Sequence, residues 1–336
     1  METKRLKTDK NGILAAAHIL NNGGIVAIPT ETVYGLAASA LNDEAVKKIF
    51  IAKGRPQDNP LIVHIAHISH LKKIAVDIPD SAYALAKAFW PGPLTMVLKK
   101  GTAVCESVST GLDTVAVRMP SDETARRVIE VSGLPLAAPS ANISGAPSPT
   151  SYTHVLNDMD NRIDAVLMGE DCKVGVESTV VSLVGETPRL LRPGAVTVEQ
   201  LKEFLPDLTV DPAVLMEPEK GQKVASPGMK YKHYAPKKTV YLVEGDSDKY
   251  INFVNTKKNA LAVCFSGEQE SITVKSICYG DKNAPETLAH NLFEVLRGLD
   301  DEKCEEAFVH APTKAGVGLA VYNRLIRAAA FKVINL

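Results

Sequence analysis

The stretch IVAIPTETVYGLAASALNDEAVKKIFIAKGRPQDNPLIVHI (25–65) holds two kinds of apolar pattern in one unit. IVAI (25–28) is a short apolar run that reads as a buried strand, and LIVHI (61–65) is a second. Between them Asp43 is placed to cap a helix that carries Val46, Ile49 and Phe50 on one face and closes near Gly54. Strand, helix and strand in this order describe an α/β or α+β domain.

The alternation continues on both sides. A helix from about Asp9 to Asn21 ends at Gly23-Gly24. LTMVL (94–98), TVAVRM (114–119), LAA (136–138), AVLM (165–168) and STVVSLV (178–184) read as further strands. Helices are expected over Asp80 to Trp90, Ser121 to Ser132 and Val198 to Leu205. A composition break follows, with acidic PDLTVDPAVLMEPE giving way to KGQKVASPGMKYKHYAPKK. The expected division is therefore a first domain over 1–205, a linker or lid over 206–238 and a second, smaller α/β unit over 239–336. That unit reads as strands TVYLVE, ALAVCF, ITVKSI and AFVHA with helices near 247–256, 285–299 and 318–331, and a mostly parallel sheet.

Composition bounds the function. With 336 residues, 45% apolar and 23% charged, the chain is globular and large enough for two domains. Lys+Arg 38 against Asp+Glu 39 gives a net charge of -1, so no whole-molecule field draws it onto nucleic acid or an anionic membrane. Its 5 cysteines are widely spaced without CxxC and read as reduced thiols. METKRLKTDK is not followed by an apolar signal-like region, and no long apolar run occurs, so a soluble, cytoplasmic protein without a membrane partner is expected.

The loops of the first domain are richer in polar and cationic residues than packing requires. Lys53 and Arg55 stand at a helix end in KGRPQDNPL, expected on an exposed turn that holds both toward one anion; the plain alternative is a solvated helix C-terminus. PTETVYGL (29–36) crowds hydroxyls and a carboxylate after a strand, as a reader of a small polar ligand or as a strand terminus with self-bonded threonines. PSANISGAPSPTS (139–151) offers hydroxyl, amide and backbone N–H donors, either as a phosphate cradle or as an ordinary surface loop. Arg118 and Arg192 each end an apolar strand before a proline, and the four cations together suit a triphosphate. His64, His67 and His70 are spaced across a strand and a helix, which does not build one metal shell. GxxxxGKS/T, GxSxG and HExxH are absent, and GVGLAVYN (316–323) marks close packing rather than a nucleotide fingerprint.

Taken in order, PTETVYGL, KGRP with NPL, WPGPLT, TVAVRMP, PSANISG, ESTVV and LRPGA resemble the YrdC-type threonylcarbamoyl-AMP synthase family. SPGMKYKHYAP followed by an α/β unit resembles the linker and C-terminal domain of its long, two-domain form. The resemblance implies an α/β fold: a YrdC-like α+β twisted-sheet N-terminal domain with a large cleft, and a Rossmann-like C-terminal domain. It implies condensation of L-threonine, bicarbonate and ATP to threonylcarbamoyl-adenylate with release of pyrophosphate, and a product handed to a tRNA threonylcarbamoyl transferase for threonylcarbamoyladenosine modification.

Carried over residue by residue, the family pattern places Thr32, His64, Arg118, the Ala138 backbone and Ser178 around threonine. It places Lys53, Arg55, Asn59, Thr114, Ser140, Asn142, Arg192 and a linker tyrosine, Tyr231 or Tyr234, around the nucleotide, with Lys53 and Arg55 as catalytic cations. Mg²⁺ is expected to accompany ATP, with no resident metal site. The linker is expected to fold back as a lid that excludes water. A different class, an RNA-binding or ribosome-assembly module, draws on the lysines, His233 and two tyrosines between 220 and 238; weak RNA binding would follow from it. A carbamoyl transferase acting on another amine is the third reading.

Overall fold

The computed structural model describes residues 2–217 and 234–336. In the first domain the strands are β1 (Lys4–Lys7), β2 (Val26–Ile28), β3 (Gly35–Ser39), β4 (Ile62–His64), β5 (Ala75–Val76), β6 (Leu94–Lys100), β7 (Thr114–Arg118), β8 (Leu136–Ala137), β9 (Ala165–Met168), β10 (Thr179–Ser182), β11 (Arg189–Arg192) and β12 (Thr209–Val210). They form one mixed sheet in the order β1-β9-β2-β3-β8-β4-β7-β6-β10-β11-β12, with β5 on the side of β6. Helix Lys10–Asn21 packs on helix Glu123–Ser132 over one apolar cluster, and the larger cluster, including Phe50, Leu85, Met96 and Val117, fills the rest. Because β4 and β7 lie in mid-sheet, what their side chains carry is enclosed rather than solvated.

The second domain adds β13 (Thr239–Glu244), β14 (Ala260–Phe265), β15 (Lys275–Gly280), β16 (Glu306–His310) and β17 (Val333–Asn335) in the order β15-β14-β16-β13-β17. Every pairing in it is parallel. The two domains meet closely. Gly175, with φ +81°, lies where an added Cβ would stand 2.4 Å from the Cα of His290 on helix Pro285–Gly298, so that contact requires glycine. Arg297 pairs with Asp158 at 2.9 Å, and His154 with Glu294 at 2.9 Å, across the same boundary.

Several details differ from the sequence reading. Asn42, not Asp43, caps helix Asp43–Lys53, because its Oδ1 accepts from the Ala45 N–H at 3.1 Å. β3 begins inside PTETVYGL and runs on into residues that the sequence reading assigns to no element; GLAAS has small side chains and no β-branching, yet it is buried on both faces. Residues 206–217 were expected in the linker, but β12 pairs with β11, so this segment continues the first sheet. Among the described residues no helix is long and apolar enough to cross a membrane.

Candidate active site

A cleft opens on the sheet face to which Ile62 and His64, two residues apart on β4, both point. Arg118 is the register partner of His64, and Thr95 is the partner of Arg118 on the next strand, so three polar side chains follow one another across β4, β7 and β6. Arg118 projects inward rather than to solvent. Its Nη1 donates to Thr32 Oγ1 at 2.8 Å, its Nε to the Gly92 carbonyl at 3.3 Å, and its Nη2 lies 2.7 Å from Glu31 Oε1. Burial pushes the Glu31 carboxyl up, but the Arg118 charge together with hydrogen bonds from Arg118 and the local backbone outweighs it and holds the acid below its ordinary value. Burial, then the Arg118 charge, pushes His64 down to about 3, so its imidazole is neutral near pH 7.

Ser178 joins this group from the residue before β10. Its Oγ lies 2.7 Å from Thr95 Oγ1 and accepts from Arg192 Nη2 at 3.2 Å, while Arg192 Nε donates to the Ser178 carbonyl at 3.1 Å. Arg192 ends β11 and is buried, which lowers its pKa to about 10 and leaves it charged.

The other end of the cleft is made of loops. Gly54, in the left-handed region at φ 60°, closes helix Asp43–Lys53, with the Arg55 N–H on the Phe50 carbonyl. This cap leaves Lys53 inside. It is only 3% exposed, which corrects the expectation of an exposed turn: its Nζ donates to the Ser140 carbonyl at 2.5 Å and the Asn142 carbonyl at 2.7 Å. The reason is that PSANISG folds over it, with Ala141 N–H on the Tyr34 carbonyl and Ser144 N–H on the Lys53 carbonyl. Burial, with Arg55 nearby, depresses the Lys53 pKa well below its ordinary value. Arg55 is half-buried and donates from Nη2 to the Asn59 carbonyl at 2.9 Å. The Asn59 amide is buried with neither polar atom hydrogen-bonded, an orphan of the kind that a ligand or ordered water satisfies.

Of the residues singled out from the sequence, Thr32, Lys53, Arg55, His64, Arg118, Ala138, Ser140, Asn142, Ser178, Arg192 and Tyr234 line this one cleft. Asn59 stands behind Arg55, and Thr114 opens β7 at the far end from Arg118, paired with Lys99; neither lines the cleft. Tyr234 is buried against Phe293, with ring centroids 5.2 Å apart, and so brings the second domain to the cleft wall. Tyr231, His233 and the rest of 218–233 within the expected lid lie outside the described residues. His67 pairs with Glu130 at 3.5 Å and His70 meets it edge-on, away from buried His64; among the described residues no cluster suited to a metal forms. Sequence reasoning missed Glu31, Ser148 and Glu177. Glu31 and Glu177 had a signal, each being a lone acid inside an otherwise neutral motif, PTETVYGL and ESTVV.

A family model described as "Telomere recombination" (Sua5_yciO_yrdC) matches residues 18–194, and one described as "Threonylcarbamoyl-AMP synthase, C-terminal domain" matches residues 196–330. A Pyrococcus abyssi protein named threonylcarbamoyl-AMP synthase is 45% identical over 333 residues, covering 96% of each chain. One of the same name from Bacillus subtilis is 43% identical, covering 99% of this chain and 97% of its own. The structure of P. abyssi Sua5 complexed with L-threonine superposes with a TM-score of 0.90 at 41% identity, over 100% of this chain and 99% of that one. By matched domains, identity and full-length superposition, the chain belongs to the threonylcarbamoyl-AMP synthase (Sua5/YrdC) family, in its two-domain form.

Proposed function

We propose that the chain condenses L-threonine, bicarbonate and ATP to threonylcarbamoyl-adenylate and pyrophosphate. The observation that carries this reading is that a single cleft joins the Thr32–Arg118–Ser178 cluster, sized and polarised for an amino acid, to the cations Lys53, Arg55 and Arg192 beside the PSANISG loop. The names of the relatives and the threonine-bound structure of the P. abyssi protein support the same assignment.

The threonine amine takes up the bicarbonate carbon with loss of water, giving a carbamate. One carbamate oxygen then attacks the α-phosphorus as pyrophosphate departs. Nothing in this sequence needs a covalent enzyme intermediate, so the protein's part is position and countercharge. Thr32, Arg118 and Ser178 hold threonine, and neutral His64 can donate or accept one hydrogen bond without adding charge. Lys53, Arg55 and Arg192 neutralise phosphate oxygens, with Ser140 and Asn142 supplying neutral contacts and Asn59 holding Arg55 through its carbonyl. Among the described residues Glu177 is the one carboxylate lining the cleft and is committed to Arg324 and Ser148, so the donor set does not suit a resident Mg²⁺ site; Mg²⁺ would arrive on the triphosphate, and no step is assigned to it. Tyr234, which lines the cleft, is the linker tyrosine assigned here to the nucleotide. A cytoplasmic protein passing its product to a tRNA threonylcarbamoyl transferase completes the reading. No described residue favours the RNA-binding alternative, whose basic segment lies mostly outside them.

The test is pyrophosphate release from ATP with each of the twenty amino acids, with and without bicarbonate. Release is expected with threonine alone and only with bicarbonate. Release indifferent to the amino acid, or none with threonine, would overturn the proposal.

A further inference from the structure

Among the described residues the side chain of Arg324 is the largest that is fully buried, and it belongs to the second domain, on helix Gly316–Ala328. Its fork reaches into the first domain. Nε donates to Glu177 Oε2 at 3.0 Å, Nη2 to the Glu177 carbonyl at 3.2 Å, and Nη1 to the carbonyl of Pro193. Ser148 Oγ donates to the other Glu177 oxygen at 2.5 Å, so the carboxylate is held from two sides. Burial raises the Glu177 pKa, yet Arg324 and then Arg192 outweigh it and keep the acid ionised. The neighbouring side chains Asn323 and Arg327 bind the Val214 and Ala213 carbonyls, each at 2.6 Å, and fix the helix against the first sheet.

The two carbonyls that Arg324 grips flank the β10–β11 pair. Glu177 directly precedes Ser178, and Pro193 directly follows Arg192. A guanidinium can bridge them because its donors point in fixed, divergent directions, which an ammonium cannot reproduce. We infer that Arg324 is a positioning residue for the first domain's chemistry: it fixes the Glu177 and Pro193 backbone so that the Ser178 hydroxyl is presented to the amino-acid end of the cleft. In the same contact it neutralises Glu177, which would otherwise face the cleft as a bare anion. The second domain thus contributes to amino-acid binding without supplying a side chain that touches the substrate. This inference rests on the assignment of Ser178 to threonine.

Two full-length variants test it. Arg324→Lys keeps the charge and loses the fork. Arg324→Gln combined with Glu177→Gln removes both charges together, so that no lone buried charge unfolds the protein. Pyrophosphate release is titrated separately with threonine and with ATP, and folding is followed by circular dichroism. In both variants the apparent KM for threonine should rise about tenfold, the scale of a lost charge-assisted hydrogen bond, while that for ATP, whose cation Arg192 adjoins the gripped Pro193, should rise clearly less. A shift of both constants in step, constants unchanged from wild type, or loss of the fold in both variants would reduce Arg324 to a structural contact and overturn the inference. Absence of threonine-dependent release in the wild type would instead count against the proposed function.

Discussion

The two ends of the cleft hold their charges in different ways. At the strand end Arg118 is matched by a carboxylate, Glu31, and donates to Thr32, so its charge is countered before any ligand arrives. At the loop end Lys53 is equally buried, but its partners are the neutral carbonyls of Ser140 and Asn142 and the Asn142 amide oxygen. Carbonyl dipoles satisfy the ammonium's hydrogen bonds without cancelling its charge, which is why burial can depress its pKa so far. An anion entering the loop end gains from that uncancelled field, whereas at the strand end the same charge is already spent on internal geometry. The strand end is therefore suited to shape and orientation, and the loop end to countercharge.

The largest effect should come from breaking the Arg118–Glu31 ion pair. Arg118→Ala leaves Glu31 buried without its counterion and should destabilise the fold by about 3–5 kcal/mol, read from denaturant unfolding. A loss below about 1 kcal/mol would mean that the two ends do not differ as described. At the loop end, Lys53→Ala and Arg55→Ala should each lower turnover by about 10² to 10³, the loss expected when one preorganised charge donor is removed. They should differ in stability. Lys53→Ala strips the donor from two buried carbonyls and should cost about 1–3 kcal/mol, whereas half-buried Arg55→Ala should unfold close to wild type. Equal unfolding midpoints for the two would contradict the burial of Lys53. Ser178→Ala should raise the threonine requirement about tenfold and leave the ATP requirement nearly unchanged, since the lost contact follows its ligand.

A further effect is a pH slope. His64 has a folded pKa depressed to about 3, so the unfolded chain binds its proton first as pH falls. The stability that depends on its neutral form is present above the ordinary histidine value of about 6.5 and is lost as pH falls from there toward 3. Between pH 7 and pH 5 the wild type should lose about 2 kcal/mol more than His64→Gln. Parallel pH profiles for the two would mean that His64 is not buried neutral.

Much of this arrangement is legible in the sequence because the informative signals are local. AVLM, TVYLVE and ALAVCF coincide with β9, β13 and β14, since short apolar runs of this length between helical patterns suit buried strands of an α/β sheet. Arg118 and Arg192 stand out as cations at the ends of apolar runs, and both line the cleft. What was hidden depends on partners distant in the chain. Lys53 looks like a solvated helix end until PSANISG, 87 residues away at Ser140, closes over it. Arg324 lies 147 residues from Glu177, and in the sequence it is only one cation in an apolar helix. β3 was hidden for a different reason: its small residues carry no strand propensity, and neighbours on both sides impose the conformation.

The central claim is that the two ends of the cleft bring one amino acid and one nucleotide into a single product containing the bicarbonate carbon. Mass spectrometry of the products formed from threonine, ATP and ¹³C-labelled bicarbonate tests it directly. The account predicts an adduct that contains threonine, AMP and one labelled carbon, formed in step with pyrophosphate. Pyrophosphate released without such an adduct, or a threonine–AMP product lacking the label, would contradict it.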